Sequence, residues 1–392
     1  MIAEVIIACR QEIPAILERT VDNILDTLGK GDRITVVLDG ETQPEYNLPE
    51  AVTVLRSPWD VPLGCGPCRD YGASQSEAAV IVFVDAHMLF PAEWLKVIKT
   101  HLKARPKDVT CAHMRSLNTK WEPMAGQVYH GARLVTHCQE PGGQFWGLAA
   151  KWGKVEKESG TIGACMGACY GMKRKHYVEG MGAPLSILRA WGGDEELLSV
   201  CTWLAGGNVY LLPLEVGHMY AAPHTREPIS DGEAAAVWGN RLAILDVLPI
   251  SDKAKADLEL WLRRTNIPWD SIAESLVNRP DIDALAAHLG SLSRPWGTFA
   301  RHYLERATVK DTAESEAKKP VELDAGRRDK YRPPAAPKGD VSQVVVRTRE
   351  QCQRCNALGT FRQTEGFRDF GSFKQASARC IKCGHKGTIR VV

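Results

Sequence analysis

The sequence predicts an α/β domain with a largely parallel sheet, joined by a linker to a small metal-binding module. Short apolar runs alternate with segments of helical periodicity through the N-terminal half, and this alternation is typical of a parallel sheet covered by helices. A charged segment at 308–343 has few large apolar residues. Two Cys-x-x-Cys pairs follow it near the C-terminus.

Each element of the α/β domain has its own signal. Apolar residues recur at helical spacing over 13–28, and a proline lies near the first turn of the helix predicted at 91–102. Residues 103–190, rich in Gly, Trp and His, show few clean periods. The predicted strands are 4–8, 33–38, 52–55, 80–84 and 208–213. The predicted helices are 13–28, 68–79, 91–102, 194–204, 238–248, 254–264, 269–276 and 282–289.

These patterns divide the chain into four segments. We expect the α/β domain over 1–250, a helical extension over 251–307, a flexible linker over 308–343 and the metal-binding module over 344–392. The linker is predicted because a segment with so little apolar surface cannot offset the entropy lost on ordering.

Composition and charge are those of an ordinary globular protein. The 392 residues are 44% hydrophobic and 24% charged, and the formal net charge of +2 provides no global field that favours nucleic acid or a membrane. The first nine residues do not form a signal peptide, and no run approaches the roughly 20 apolar residues of a membrane span. We therefore expect a cytoplasmic protein of a bacterial or phage-infected host cell, with no membrane partner.

Asp85 and His87 mark the first candidate site. Asp85 follows the buried strand predicted at 80–84, and ligands of open α/β sheets bind beyond the carboxyl ends of the strands. Two residues apart in extended backbone, the two side chains point to the same side, so that they can share a divalent ion such as Mn²⁺. Taken alone, the pattern fits equally well a chance Asp at a strand end beside a surface His.

Two later motifs place the Asp85–His87 pattern in a family context. They are Trp191-Gly192-Gly193-Asp194-Glu195 and Val216-Gly217-His218-Met219-Tyr220. With these motifs in this order, residues 2–250 resemble the GT-A glycosyltransferases, and most closely the polypeptide N-acetylgalactosaminyltransferases. The resemblance implies a GT-A fold, which is a Rossmann-like, nucleotide-diphospho-sugar transferase fold. It also implies that Mn²⁺, or Mg²⁺, is bound by Asp85, His87 and His218.

The resemblance further implies a nucleotide-sugar donor, and we expect a UDP-sugar. Asp39 would accept hydrogen bonds from the nucleotide, although a turn residue before Gly40 is the alternative. Arg69 would contact the nucleotide or diphosphate, with a helix-surface charge as its alternative. Ala221 stands where the family has an Arg on the diphosphate, and Arg226 is the candidate replacement. The expected donor-binding residues are Cys9, Asp39, Arg69, Asp85, His224 and Arg226.

Trp191, Asp194 and Glu195 are the expected catalytic residues. Asp194 lies at the family's Glu position, where the resemblance implies contact with the transferred sugar or the acceptor. In related inverting enzymes a carboxylate in this region is the general base, and Glu195 is the alternative for that role. Trp191 would form a wall for sugar or acceptor. The structural alternatives are acidic residues that favour a helix dipole and a core aromatic at Trp191.

The C-terminal module resembles a zinc ribbon. Four cysteines have the spacing of a tetrahedral Zn²⁺ site, and so small a unit depends on metal for much of its stability. Residues 346–392 carry ten Lys or Arg against three Asp or Glu, with four Phe interleaved, which suits phosphate contacts and base stacking. A protein-docking or purely structural ribbon is an equal alternative. The expected zinc ligands are Cys352, Cys355, Cys380 and Cys383.

Together these observations predict a metal-dependent glycosyltransferase of the hexosyltransferase type that moves a sugar from a nucleotide-sugar to a hydroxyl acceptor. Because of the basic module, the acceptor we favour is a hydroxymethylated pyrimidine in DNA, a modification of the phage type. A protein or glycan acceptor is the alternative that the family resemblance implies, although we expect neither the family's lectin domain nor its membrane anchor. A non-catalytic GT-A-fold binding protein is the second alternative, and the three intact metal ligands argue against it.

Overall fold

The computed structural model of the protein describes residues 1–139, 144–153, 158–220 and 231–306, together with the strands of the C-terminal region. The chain forms two compact units, Met1–Lys318 and Lys319–Val392. Among the described residues, no helix has both the length and the apolar composition needed to cross a bilayer.

The first unit combines a large sheet, a small sheet and surrounding helices. Its strands are β1 Ala3–Cys9, β2 Arg33–Leu38, β3 Val52–Arg56, β4 Val80–Val84, β5 Met88–Leu89, β6 Val109–Leu117, β7 Pro123–Tyr129, β8 Ala132–Gln139, β9 Phe145–Trp152, β10 Gly160–Ile162, β11 Cys169–Lys173, β12 Val209–His218 and β13 Leu304–Arg306. Its α-helices are α1 Pro14–Thr27, α2 Cys65–Gln75, α3 Trp94–Ala104, α4 Asp194–Leu204, α5 Asp231–Val247, α6 Asp252–Leu262, α7 Trp269–Leu276, α8 Pro280–Gly290 and α9 Trp296–Tyr303. A π-helical turn covers His176–Gly180 and a 3₁₀ turn covers Pro184–Ile187.

The large sheet is mixed rather than parallel throughout. Its strand order is β10-β12-β6-β11-β4-β1-β2-β3, with β5 paired to β12 and β7 to β6. Strand β1 runs parallel to β2 and β4, as the sequence predicts, and β12 runs parallel to β6. Strand β11 is antiparallel to both β4 and β6 and separates the two parallel groups.

The centre of the large sheet is apolar on both faces. All five residues of β4 are buried, as expected for a continuous Val/Ile/Phe run between layers of helices. Helix α1 buries one face against the sheet, including Leu17, Val21 and Ile24. Because β1, β2 and β4 are parallel, the residues that end or follow them lie at one edge of the sheet. These residues are Cys9, Asp39 and Asp85.

Several predicted boundaries differ from the structure, and two of these differences have clear local reasons. Helix α2 begins at Cys65, three residues before its predicted start, because Gly64 adopts a φ of +104° and passes close to Ala190. A Cβ at Gly64 would lie 2.0 Å from the Ala190 carbonyl oxygen. Strand β12 continues five residues beyond Pro213, where the predicted strand ended. A shift in its register with β6 between Leu211 and Glu215 accommodates the proline.

The predicted helical extension belongs to the first unit and packs against the rest of it. Strand β13 pairs in parallel with β8 and completes a small sheet of order β13-β8-β9. On α6, Trp261 donates its indole N–H to the Cys138 carbonyl over 3.2 Å, and Phe299 on α9 is buried beside Trp203. The predicted boundary at 250 therefore lies within a continuous body of structure, and the four-segment division stays a prediction.

The C-terminal unit is described as antiparallel strands. They are β14 Val345–Gln351, β15 Leu358–Gln363, β16 Arg368–Asp369, β17 Lys374–Cys380 and β18 Lys386–Val391. Their order is β14-β15-β17-β16, with β18 paired to β17. The predicted zinc ligands Cys352, Cys355 and Cys383 lie outside the described residues, and Cys380 is described only as the last residue of β17. The zinc site stays a prediction.

Candidate active site

Three potential metal ligands converge at the carboxyl edge of the large sheet. Asp85 and His87 follow β4, and His218 ends β12. The pairing of β5 with β12 places His218 opposite Met88 and brings the two segments together. One ligand atom from each of the three residues lies within 4.8 Å of the others. The structure thus brings together the three side chains that the sequence predicts as metal ligands.

The chemistry of this donor set fits a divalent ion. One carboxylate and two imidazoles are ligands that Mn²⁺ and similar ions accept. Burial by itself raises the pKa of Asp85, but the hydrogen bond to His218 and the Arg69 guanidinium outweigh it and hold that pKa below its usual range. Burial lowers the pKa of His218, which favours the neutral imidazole that a metal requires. The Asp85 Oδ2 and His218 Nε2 atoms are 3.2 Å apart.

Glu12 extends this centre, and sequence reasoning missed it. Its Oε2 lies 2.9 Å from His87 Nδ1, and both side chains are buried. Glu12 lies between β1 and α1, and therefore at the same sheet edge as Asp85. Its place after β1 was the one feature of the sequence that could have indicated a role in the site. The contact with His87 itself depends on how α1 packs.

Arg69 links the metal ligands to the predicted catalytic carboxylates. Its guanidinium donates from Nη2 to Asp85 Oδ1 over 2.6 Å and from Nη1 to Asp194 Oδ2 over 2.7 Å. The side chain is 3% exposed, so the alternative of a helix-surface charge is wrong. The structure shows contacts to these two carboxylates, and the predicted contact with the donor stays a prediction.

Asp194 and Glu195 begin α4, and both carboxylates accept hydrogen bonds within the site. Asp194 Oδ2 also accepts from the Tyr170 hydroxyl over 2.8 Å. Glu195 Oε1 accepts from the Trp152 indole over 2.7 Å and from the Gly167 amide over 2.6 Å. Burial and the adjacent acidic side chains raise the pKa of Glu195 well above its usual range. These contacts go beyond a simple helix-dipole role for the two carboxylates.

Trp191 projects from a loop that other residues hold in place. Its side chain is 64% exposed, so the alternative of a core aromatic is wrong. The Asn240 amide donates to the carbonyls of Arg189 and Gly192 over 2.7 and 2.8 Å. Gly193 has a φ of +94°, and a Cβ there would approach Ile244 within 2.9 Å. An exposed indole on a braced loop is compatible with the predicted sugar or acceptor wall.

Three aromatic side chains beside His218 also escaped prediction. The Tyr220 ring lies 4.1 Å from the His218 ring, centroid to centroid, and 5.9 Å from Trp152. Tyr129 packs edge-on against both aromatic neighbours. Tyr129 and Trp152 lie in the region without clean periodicity, which explains why no pattern identified them. The cluster forms a wall from the metal ligands to Glu195.

The remaining predicted donor residues are only partly tested. Asp39 is buried and accepts from the amides of Leu63 and Gly64 over 3.0 and 2.8 Å, so it holds the loop that enters α2. Cys9 is buried, with its thiol 3.4 Å from the Tyr46 hydroxyl oxygen. Donor-binding roles for both stay predictions. His224, Arg226 and Ala221 lie outside the described residues.

Comparisons with known proteins agree with this architecture. Residues 4–175 match the family described as Glycosyl transferase family 2. Polypeptide N-acetylgalactosaminyltransferase 3 of Drosophila melanogaster is 25% identical over an alignment of 266 residues, and the match covers 60% of this chain and 38% of that protein. Polypeptide N-acetylgalactosaminyltransferase 11 of Xenopus tropicalis is 26% identical over an alignment of 230 residues, and the match covers 54% of this chain and 36% of that protein. A crystal structure of GalNAc-T7 with UDP, GalNAc and Mn²⁺ superposes with a TM-score of 0.57 at 18% identity, covering 77% of this chain and 57% of that one.

The sheet and these similarities define the class of protein. The fold is GT-A, as the sequence predicts, and residues 4–175 match a glycosyltransferase family. The two relatives described above are polypeptide N-acetylgalactosaminyltransferases. The chain spans 38% and 36% of the length of the two described above.

Proposed function

We propose that the protein transfers a sugar from a UDP-sugar to a hydroxyl acceptor in a metal-dependent reaction. The observation that carries this proposal is the convergence of Asp85, His87 and His218 within 4.8 Å at the carboxyl edge of the parallel strands. The similarity to a structure that contains UDP, GalNAc and Mn²⁺ supports a nucleotide-sugar donor.

The donor half of the site is organised to receive a diphosphate. A divalent ion held by Asp85, His87 and His218 would act as a Lewis acid on the phosphate oxygens of the leaving group. The Arg69 guanidinium forms an ion pair with both Asp85 and Asp194 and keeps both carboxylates at fixed positions. The expected donor contacts of His224 and Arg226 belong to this half of the proposal.

The acceptor half centres on the first turn of α4. Asp194 accepts hydrogen bonds from Arg69 and Tyr170, which hold its carboxylate in place. Burial raises the pKa of Glu195, which increases the proton affinity of its carboxylate. We therefore assign the general-base role to Glu195, with Asp194 as a residue that positions the sugar or acceptor. Trp191 and the wall of Tyr129, Trp152 and Tyr220 would flank the acceptor.

The acceptor that the comparisons support is a protein or a glycan. The relatives described above are named for polypeptide acceptors, and their similarity extends over 60% and 54% of this chain. A DNA acceptor has no support from these comparisons. It depends on the basic C-terminal segment alone and stays a prediction.

A transfer assay tests this proposal directly. Wild type and Glu195→Gln would be incubated with Mn²⁺, a panel of UDP-sugars, and Ser/Thr peptides, glycans or hydroxymethylated DNA, and the products measured by mass spectrometry. We expect sugar addition to a peptide or glycan with wild type, and at least about a 100-fold loss with Glu195→Gln, since general-base catalysis contributes that much. Transfer only to DNA would contradict the acceptor assignment, and full activity of Glu195→Gln would contradict the base assignment.

A further inference from the structure

We propose that Glu12 is a positioning residue that orients His87 toward the bound metal. The proposal rests on the metal-dependent function proposed above. It concerns a residue outside the Asp85, His87 and His218 set, and its mode of action is indirect, through the imidazole ring.

The contact between Glu12 and His87 determines which imidazole nitrogen is available to a metal. An ionised carboxylate only accepts hydrogen bonds, so a His87 ring in the neutral form that binds a metal carries its proton on Nδ1, 2.9 Å from Glu12 Oε2. The lone pair is then on Nε2. Both side chains are about nine-tenths buried, so water does not compete for the contact. The pair therefore selects the tautomer and limits rotation of the ring.

Glu12 is itself held in a single position. Its Oε1 accepts from the Ile13 amide over 3.1 Å, and its carbonyl accepts from the Tyr46 hydroxyl over 3.2 Å. The preceding residue, Gln11, adopts a φ of +50° and is tied to Gln43 through its amide. A carboxylate fixed from several directions can transmit its own position to the imidazole.

Two residues of α1 hold the backbone of the segment that contains His87. The Thr20 hydroxyl donates to the Ala86 carbonyl over 2.9 Å and accepts from the Met88 amide over 3.1 Å. Asn23 makes the equivalent pair of bonds with Phe90. Since the main chain is already fixed by these residues, the contribution of Glu12 falls on the side chain of His87. Loss of Glu12 should therefore change the orientation of the His87 ring rather than the backbone of the loop.

The electrostatics also favour a cation on the other side of the ring. Glu12 places a largely buried carboxylate against the His87 ring, and a buried carboxylate is stabilised by nearby positive charge. A divalent ion on Nε2 would supply positive charge through the polarised ring. Such carboxylate–histidine–metal arrangements fix ring orientation and increase the basicity of the ligand.

Mn²⁺ affinity in the absence of donor and acceptor tests the proposal without using activity. Free Mn²⁺ would be titrated by electron paramagnetic resonance for wild type, Glu12→Ala, Glu12→Gln and the matched control Glu18→Ala. Glu18 lies on α1, the helix that follows Glu12, and accepts from the Asn47 amide over 2.8 Å. We expect Kd to increase about 10–100-fold for Glu12→Ala, and less for Glu12→Gln, whose carbonyl can accept the same hydrogen bond. The control should match wild type.

The outcomes separate the two proposals. Wild-type affinity in both Glu12 variants would overturn the positioning role and leave the metal site intact. Absence of Mn²⁺ binding by wild type itself would overturn the metal site and the positioning role together. If thermal unfolding shows that Glu12→Ala does not fold, Glu12→Leu, which fills more of the volume but cannot accept the hydrogen bond, decides, and an unchanged Kd there refutes the proposal.

Discussion

Replacement of Arg69 by methionine should destabilise the first unit more than loss of any exposed ion pair. Arg69 is 3% exposed and makes two charge-assisted hydrogen bonds, of 2.6 Å to Asp85 and 2.7 Å to Asp194. Methionine fills much of the same volume but leaves the two carboxylates without their shared cation. The expected defect is therefore electrostatic rather than a packing defect.

The magnitude follows from burial. Removal of one partner of a buried ion pair costs about 3–5 kcal/mol, because the other charge stays buried. Asp194 keeps its bond from Tyr170 and Asp85 keeps its contact with His218, which favours the lower end, about 3 kcal/mol. Arg115→Met is the matched control, since Arg115 and its partner Glu215 are 29% and 42% exposed. Exposed pairs contribute at most about 1 kcal/mol.

Urea unfolding in EDTA, followed by tryptophan fluorescence, measures both variants without bound metal. The pKa of Asp85 is lowered in the folded protein, so the stability linked to its ionisation is present above the ordinary value near 3.9 and is lost as pH falls through the lower folded value. The Arg69→Met deficit should thus be largest near neutral pH and smaller in acid. A cost no greater than that of Arg115→Met would refute the reasoning.

Three further predictions follow from burial, exposure and charge. Burial and the charge of Lys107 lower the pKa of His176 to about 4, below the unfolded value near 6.5, so wild type should lose roughly 3 kcal/mol as pH falls between those values. A His176→Leu variant should lack this slope in pH-dependent unfolding, and an unchanged slope would assign it to another group. Trp191→Ala should change the free energy of unfolding by less than about 0.5 kcal/mol because Trp191 is exposed, yet raise the KM for the acceptor; equal KM values would remove it from the acceptor wall. Truncation after residue 343 should weaken salt-sensitive DNA binding if the basic segment contacts phosphates, and equal binding by both forms in a salt titration would end that idea.

Local patterns predicted the part of the fold that carries Asp85. The apolar run of β4 and the helical spacing of α1 depend on residues near each other in sequence, and both elements are present in the structure. Helices α4 and α7 have the predicted bounds. The antiparallel insertion of β11 was not predictable in this way, because its partners β4 and β6 are distant in sequence.

The site residues likewise divide into those that short motifs predict and those that only tertiary packing brings together. Asp85, His87 and His218 belong to short motifs in a characteristic order, and the structure brings them together. Glu12, Tyr170 and Trp152 contact His87, Asp194 and Glu195, respectively, which are distant from them in sequence. These contacts form only when the separate elements pack together. Arg69 was identified as a site residue, but its bridge between two carboxylates depends on the placement of α4 against α2.

Release of UDP from a UDP-sugar in the presence of Mn²⁺ tests the central claim most directly. Wild type would be compared with His218→Ala, with His302→Ala as an exposed histidine control, and each would be assayed with and without EDTA. The metal-dependent account predicts UDP release by wild type and His302→Ala, its loss in EDTA, and its loss in His218→Ala even at saturating Mn²⁺. Release that persists in EDTA or in folded His218→Ala would contradict the account.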